Sequence, residues 1–415
     1  MRTRAILREK TTRIGTIGLV TTNDCGHAGP PSTTRLCPHV ADDEDQAFVG
    51  VLTGRGLEFD ACCPECDPPV ELLTVCEDCA EQVNDLVEHT AWRGEPEIAR
   101  RPEPVDRTLL RTPLPAGSTP VDFAPLPGGR WLLLLGAPYR LVAFDPADGS
   151  TRPMLDVPLA AEEFRTTYWG PPTPALHTSP DGRFAAVVHD HGTTGVVVDL
   201  TTGKTTLDLH RGTYHTDTTP FSIAFVDRLL CHASEWNQVT WSDPATGETR
   251  STTQPTTHLF HGKLVVSPTG RRIADDGWAW SPVGVPQVWD LDDLVEAKPL
   301  CRREYHWDVG MCWVGDDLLA VTGIGRDDEA MLDGVRVFDA VTQREVIVFA
   351  GPRGTLFADD RRLYSVTADG VEIWDPATGH QTGGIPGFVP TRQREGELAA
   401  LVDGVLVTWK TTSSR

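Results

Sequence analysis

Between residues 140 and 380 the chain repeats one pattern, a short apolar run that ends on an aspartate, usually a tight turn, then a second extended run. The copies are RLVAFDPADG with Asp145, GVVVDLTTG with Asp199, QVTWSDPATG with Asp243, PQVWDLDD with Asp290, GVRVFDAVTQ with Asp339 and GVEIWDPATG with Asp375. A seventh run, GVLVTWK, carries the strand without the turn. The runs are β-branched or aromatic and too short for helices. In Asp-Pro-Ala-Thr-Gly the aspartate opens a type I turn, proline presets the next φ, and glycine accepts the left-handed closing position. A second turn signal precedes the markers: Leu126-Pro-Gly-Gly-Arg, Ser179-Pro-Asp-Gly-Arg and Ser267-Pro-Thr-Gly-Arg each lead into an apolar strand. The markers recur every 36 to 54 residues. That period, with about four strands in each copy, predicts a radial stack of small sheets.

These residues resemble the WD-repeat β-propellers across about residues 107–412. Trp289-Asp290 and Trp374-Asp375 match the family's dipeptide literally, whereas its Gly-His dipeptide is not visible. The resemblance implies an all-β fold, a seven-bladed β-propeller. Thr108–Leu114 reads as a strand ahead of the first full repeat, and Val405–Trp409 lacks an outer partner. Pairing the two completes the seventh blade and removes the exposed edges of an open stack.

The 415 residues exceed one ordinary domain, which leaves about 100 in front of the propeller. That segment holds Cys25, Cys37, Cys62, Cys63, Cys66, Cys76 and Cys79, seven of the chain's ten cysteines. Cys63-Pro-Glu-Cys66 and Cys76-Glu-Asp-Cys79 form two CxxC pairs at a range that favours tetrahedral zinc. A helix is expected over Ala80–His89, so the second pair lies at a helix start. The stretch resembles a treble-clef or zinc-ribbon finger, with Cys63, Cys66, Cys76 and Cys79 as one ligand set. Cys25, His27, Cys37 and His39 form a second possible set, so one or two zinc ions are expected, in a structural role. Cys62 either replaces Cys63 or is free. Disulfides would need an oxidising compartment that nothing in the sequence implies. The expected organisation is a small Cys/His-rich zinc-binding domain at 1–92, a proline- and charge-rich linker at 93–106, and the propeller at 107–415.

The net charge of −22 argues against nucleic acid, which demands concentrated Lys and Arg, and suits basic partners. No apolar run of 18 residues predicts a membrane span. The basic opening lacks an apolar signal region, so a cytoplasmic location is expected. There is no Gly-x-Ser-x-Gly elbow and no His-Glu-x-x-His, and Gly203-Lys204-Thr205 lacks the upstream glycine of a phosphate loop. Cys231, Cys301 and Cys312 read as small buried hydrophobes. Long loops on one side of the ring carry aromatics, and Tyr168, Trp169, Tyr214, Trp278, Trp280 and Trp307 are the expected anchors for a protein or peptide partner. His189, His191 and His215 raise a secondary question of a metal site. Two function classes follow: a non-enzymatic interaction scaffold, and, as the alternative, a propeller hydrolase or lyase using channel-mouth His and Asp residues.

Overall fold

The computed structural model describes residues 23–42, 47–53, 57–66, 72–86, 89–136, 138–162, 172–213, 216, 219–252, 259–279, 283–291, 293–303, 310–325 and 331–411. The chain forms a small five-stranded sheet followed by a propeller of seven four-stranded sheets.

In the first unit the strands are β1 (Pro31–Leu36), β2 (Phe48–Leu52), β3 (Phe59–Cys62), β4 (Leu73–Cys76) and β5 (His89–Arg93), in the order β4-β1-β3-β2-β5. β1 runs parallel to β3 and antiparallel to β4. A bidentate pair sews β1 to β3, with Arg35 Nε 2.9 Å and Nη2 2.7 Å from the two oxygens of the buried Asp60. Two helices complete the unit, α1 (Pro38–Asp42) after β1 and α2 (Glu77–Leu86) directly after β4. Its core joins Leu36, Val40, Phe48, Val75 and Val83 to the seven cysteines. Arg93, at the end of β5, donates to Pro64 O at 3.0 Å and Cys66 O at 3.2 Å, bracing the first CxxC loop.

The blades occupy 120–156, 173–210, 223–252, 264–299, 311–350 and 355–386. The seventh consists of 392–410 with β6 (Leu110–Pro113) as its outer strand. The first six blades are antiparallel meanders, and first strands of neighbouring blades lie against one another around the centre. The expected closure is present, with Val405 opposite Pro113 and Thr408 opposite Leu110. The seam between blades seven and one is further tied by Arg392, which pairs with Asp122, donates to Phe123 O at 2.9 Å and covers the Phe123 ring.

Residues 98–106 are not a free linker. They lie along the outer strand of blade six, where Gln381 N donates to Ala99 O (2.8 Å), Arg101 N to Gln381 O (2.9 Å) and Glu103 N to Thr382 O (2.8 Å). Val105 occupies the space above Gly383, where an added Cβ would meet its methyl group at 2.6 Å, and Trp409 Nε1 donates to Asp106 O at 2.6 Å. The composition reading missed this because the docking uses edge N–H and C=O groups of a strand, which no side chain announces.

The marker aspartates act through a recurrent double closure. At Asp145, Asp199, Asp243, Asp339 and Asp375, Oδ1 accepts the N–H two residues on, and the main-chain oxygen accepts the N–H four residues on. The fourth residue after each marker takes positive φ: Gly149, Gly203, Gly247 and Gly379 lie at 71–73° or 70°, and Gln343 lies at 60°. Left-handed backbone costs a side-chain-bearing residue roughly 1–2 kcal/mol, partly offset because glycine loses more freedom on folding. Nothing lies within 4 Å of a Cβ added at Gly203, so Gly203→Ala isolates the backbone cost and should destabilise by about 0.5–1 kcal/mol. Gln343→Gly should stabilise by about 0.5 kcal/mol. Denaturant melts of the two variants check both signs, and a stabilised Gly203→Ala would contradict the turn assignment.

Candidate functional site

β1 determines how the Cys and His ligands meet. Cys25-x-His27 lies ahead of this strand and Cys37-x-His39 follows it, so a six-residue strand, roughly 20 Å long, separates the two pairs. β4 runs antiparallel to β1 with Cys76 opposite Pro31, which brings Cys76 and Cys79 to the start of β1. β3 runs parallel to β1 with Ala61 opposite Leu36, which brings Cys63 and Cys66 to its end. The groups are therefore Cys25, His27, Cys76 and Cys79 at one end, and Cys37, His39, Cys63 and Cys66 at the other. All eight expected ligands are present, but the two expected sets are not those that form. Each CxxC joins a Cys-x-His pair, and the chain nests the second group inside the first.

Ligand atoms within each group lie within 4.8 Å of one another. His27 Nδ1 is 3.1 Å from Cys79 Sγ, His39 Nδ1 is 3.3 Å from Cys66 Sγ, and the Cys63 and Cys66 sulfurs are 3.3 Å apart. Sulfurs on a tetrahedral zinc ion with ~2.3 Å bonds would lie roughly 3.8 Å apart, so a small outward adjustment accommodates one ion. Main-chain N–H groups already point at the sulfurs, Cys63 N to Cys37 Sγ at 3.1 Å and Cys76 N to Cys25 Sγ at 3.4 Å, the outer-shell support a thiolate ligand needs. The thiols are buried and the two imidazoles exposed. Burial raises the Cys25 and Cys63 thiols, but N–H and S–H donors outweigh it and both end below the usual range. Their neighbours Cys79 and Cys66 are pushed up to about 12, by burial first and then by the adjoining sulfurs. Adjacent thiolates repel, and a divalent cation is the group that lets three ionise together. Three sulfurs and an imidazole complete a tetrahedron, so each group could bind a metal ion, and the donor set suits zinc. Cys62 joins neither group. It is fully buried, and burial pushes its thiol up to about 11.

On the propeller, connections between first and second strands and between third and fourth strands leave by one face and are short throughout. The opposite face carries the links between blades: 157–172, 211–222, 253–263 and 300–310 are long, whereas 351–354, 387–391 and 114–119 are brief. The long links thus all connect blades one to five. Tyr168, Trp169, Tyr214, Trp280 and Trp307 lie outside the described residues, as does His215. Trp278 does not stand on a loop. It lies in the strand Arg272–Ala279, exchanges two main-chain hydrogen bonds with Phe260, stacks on that ring at 4.4 Å, and is 1% exposed. The link before blade four adds a bridge to the sheet there, and a tryptophan placed for a surface is used for packing.

A cavity of about 110 Å³ opens on the long-link face between blades three and four, bounded by Arg211, Glu235, Trp236 and His261 among others. No sequence motif marked it, because its walls come from three separated segments. His189 is committed elsewhere, with Nε2 3.2 Å from Tyr139 Oη and Nδ1 3.1 Å from Thr194 Oγ1. Neither His189 nor His191 falls in a metal-competent group among the described residues. Cys231 and Cys312 are buried and their thiols raised by burial, while Cys301 is half-buried. Among the described residues no helix is long and apolar enough to cross a membrane.

No family model and no curated protein matches this sequence. Among solved structures, the chain is similar to a chain of the crystal structure of the mitotic checkpoint complex. The identity is 16%, covering 77% of this chain and 98% of that one, with a TM-score of 0.48. It is also similar to the computationally designed Ika8 protein, at 15% identity over 72% of this chain and 86% of that one, with a TM-score of 0.47.

Two measurements follow. Elemental analysis of freshly purified protein should give two zinc equivalents per chain. Cys25→Ser with Cys76→Ser should remove one, whereas Cys63→Ser with Cys76→Ser should remove both; loss of only one from the latter would restore the sequential grouping. The second concerns His232, which is 4% exposed and held between Ser234 and Ser242 at 3.0 Å on each side. Burial lowers its pKa from 6.5 to about 4. The unfolded chain then takes up the proton first, so this contribution is complete above pH 6.5 and is lost as pH falls toward 4. It amounts to at most about 3 kcal/mol. Urea melts between pH 7 and 4 should show this loss, and His232→Gln should remove it.

Proposed function

We propose that the protein is a non-enzymatic interaction scaffold. In this reading a WD-repeat-like propeller at 107–415 captures a protein or peptide on its long-link face. A treble-clef or ribbon-like module within 1–92 is held by two structural zinc ions. The observation that carries the reading is the lopsided distribution of the links. Tight turns suffice to close blades, so four long consecutive links over one side of the ring are chain spent on something other than closure. Aromatic residues fall in those links, and Tyr and Trp bring large contact area together with a polar handle. The zinc groups support a structural role because their four protein donors leave no coordination position open to a substrate.

The reading separates two kinds of aromatic residue. Replacing Trp169, Tyr214 and Trp307 together by Ala should abolish capture of a partner that wild type retains from lysate, with the melting temperature nearly unchanged. Trp278→Ala should behave oppositely, costing about 3–5 kcal/mol of stability through the cavity it leaves. Capture and thermal melting measured on the same variants check both. Retained capture by the triple variant would remove the long links from the binding surface.

A further inference from the structure

We propose that the cavity between blades three and four receives a cationic side chain, the ammonium of a lysine or the guanidinium of an arginine, from the partner docked on this face. The inference rests on the reading of the long-link face as the binding surface and names what that surface selects.

The presence of Arg211 in the wall first suggests an anion, but four of its five N–H groups are already used. Nε donates to Gly192 O (2.6 Å), Nη1 to Pro220 O (2.9 Å), and Nη2 to Thr216 O (3.2 Å) and Thr219 O (3.0 Å). Each of its nitrogens ends on a main-chain carbonyl, so the guanidinium ties Thr216, Thr219 and Pro220 to the wall and has no free fork for a carboxylate or phosphate. Its own charge is set against four carbonyl dipoles and the nearby carboxylates of Asp190 and Glu162.

The remaining walls are fixed on one side and offer an acceptor on the other. Asp275 is fully buried and takes three hydrogen bonds, from His261 Nδ1 (2.8 Å), Gly262 N (2.8 Å) and Gln287 Nε2 (2.9 Å). A carboxylate bonded in this way is an acceptor only, so Nδ1 of His261 carries the hydrogen. His261 is thereby held in the wall, its side chain only 7% exposed. Glu235 adds an exposed carboxylate that pairs with no cation among the described residues. Trp236 adds a half-buried ring held by Phe260 and Trp278, with centroids 5.6 and 6.2 Å away. A carboxylate and a fixed indole share one preference, for a cation rich in N–H groups. The chain's net charge of −22 draws such groups toward the surface.

The test uses the full chain and small probes: Nα-acetylarginine methylamide, Nα-acetyllysine methylamide and, as a neutral isostere, Nα-acetylcitrulline methylamide. Binding is followed by saturation-transfer NMR at low salt. At least one cationic probe should saturate in the millimolar range and bind about ten-fold or more tightly than citrulline. Glu235→Gln should weaken the cationic probe about five-fold and leave citrulline unchanged, and Trp236→Ala should weaken both. Because Glu235 is exposed, its variant tests the idea even where Trp236→Ala disturbs packing. Equal binding of citrulline and arginine, indifference to Glu235→Gln, or no saturation by any cationic probe would overturn the assignment. The probes require no partner protein, so these outcomes stand apart from loss of capture in the Trp169, Tyr214 and Trp307 variant.

Discussion

The pairing of β6 with the strand Val405–Lys410 is the contact on which the ring depends. Nearly 300 residues separate the two strands, and bringing such distant segments together costs roughly 5 kcal/mol of chain entropy. A four-residue ladder alone is a modest return on that cost, and the structure does not leave it alone. Leu114 N donates to Gly404 O at the end of the ladder, Trp409 reaches Asp106, and Arg392 locks the first strands of blades seven and one. Once these form, every blade has two neighbours and all seven sheets of the ring have four strands. The segment 98–106 continues the same economy by covering the outer edge of blade six before the chain enters the ring.

Much of this architecture was legible because its signals are local. A marker aspartate, the N–H groups it accepts and the left-handed residue that follows lie within five positions, so Asp145, Asp199, Asp243, Asp339 and Asp375 announce their turns directly. Which residues could hold a metal was legible for the same reason, since Cys63-x-x-Cys66 and Cys76-x-x-Cys79 are each local in sequence. Their grouping was not. It follows from whether β3 and β4 run parallel or antiparallel to β1, a long-range fact absent from ligand spacing. The cavity was hidden likewise, since Arg211, Glu235 and His261 stand in three different segments. Trp278 shows the opposite error: alternation and aromatic character suit a surface anchor and a packed strand equally, and only the bridge to Phe260 decides.

The two ends of the molecule use different means to hold short elements in place. The propeller relies on repetition, with each blade packing apolar strands against the next, so no single blade contact has to be strong. The first unit is too small for that and places six cysteine sulfurs and two imidazoles around a core of few large side chains. Small units of this size draw on metal coordination for what area burial cannot supply. The bidentate Arg35–Asp60 pair and the Arg93 clamp on the Cys63–Cys66 loop then fix the strand directions that assemble the two groups.

The nesting of one metal group inside the other imposes an order of assembly. Cys37, His39, Cys63 and Cys66 close the shorter loop, and the outer group spans a loop about twice as long. A doubling of loop length adds only about 0.6 kcal/mol to closure, but once the inner group is formed most of that extra chain is already tied. By that count the inner group costs less chain entropy to close, and the outer group closes cheaply only after it. An ion bound at the inner group would thus lower the closure cost of the outer one, whereas one bound at the outer group would still have to tie the full loop.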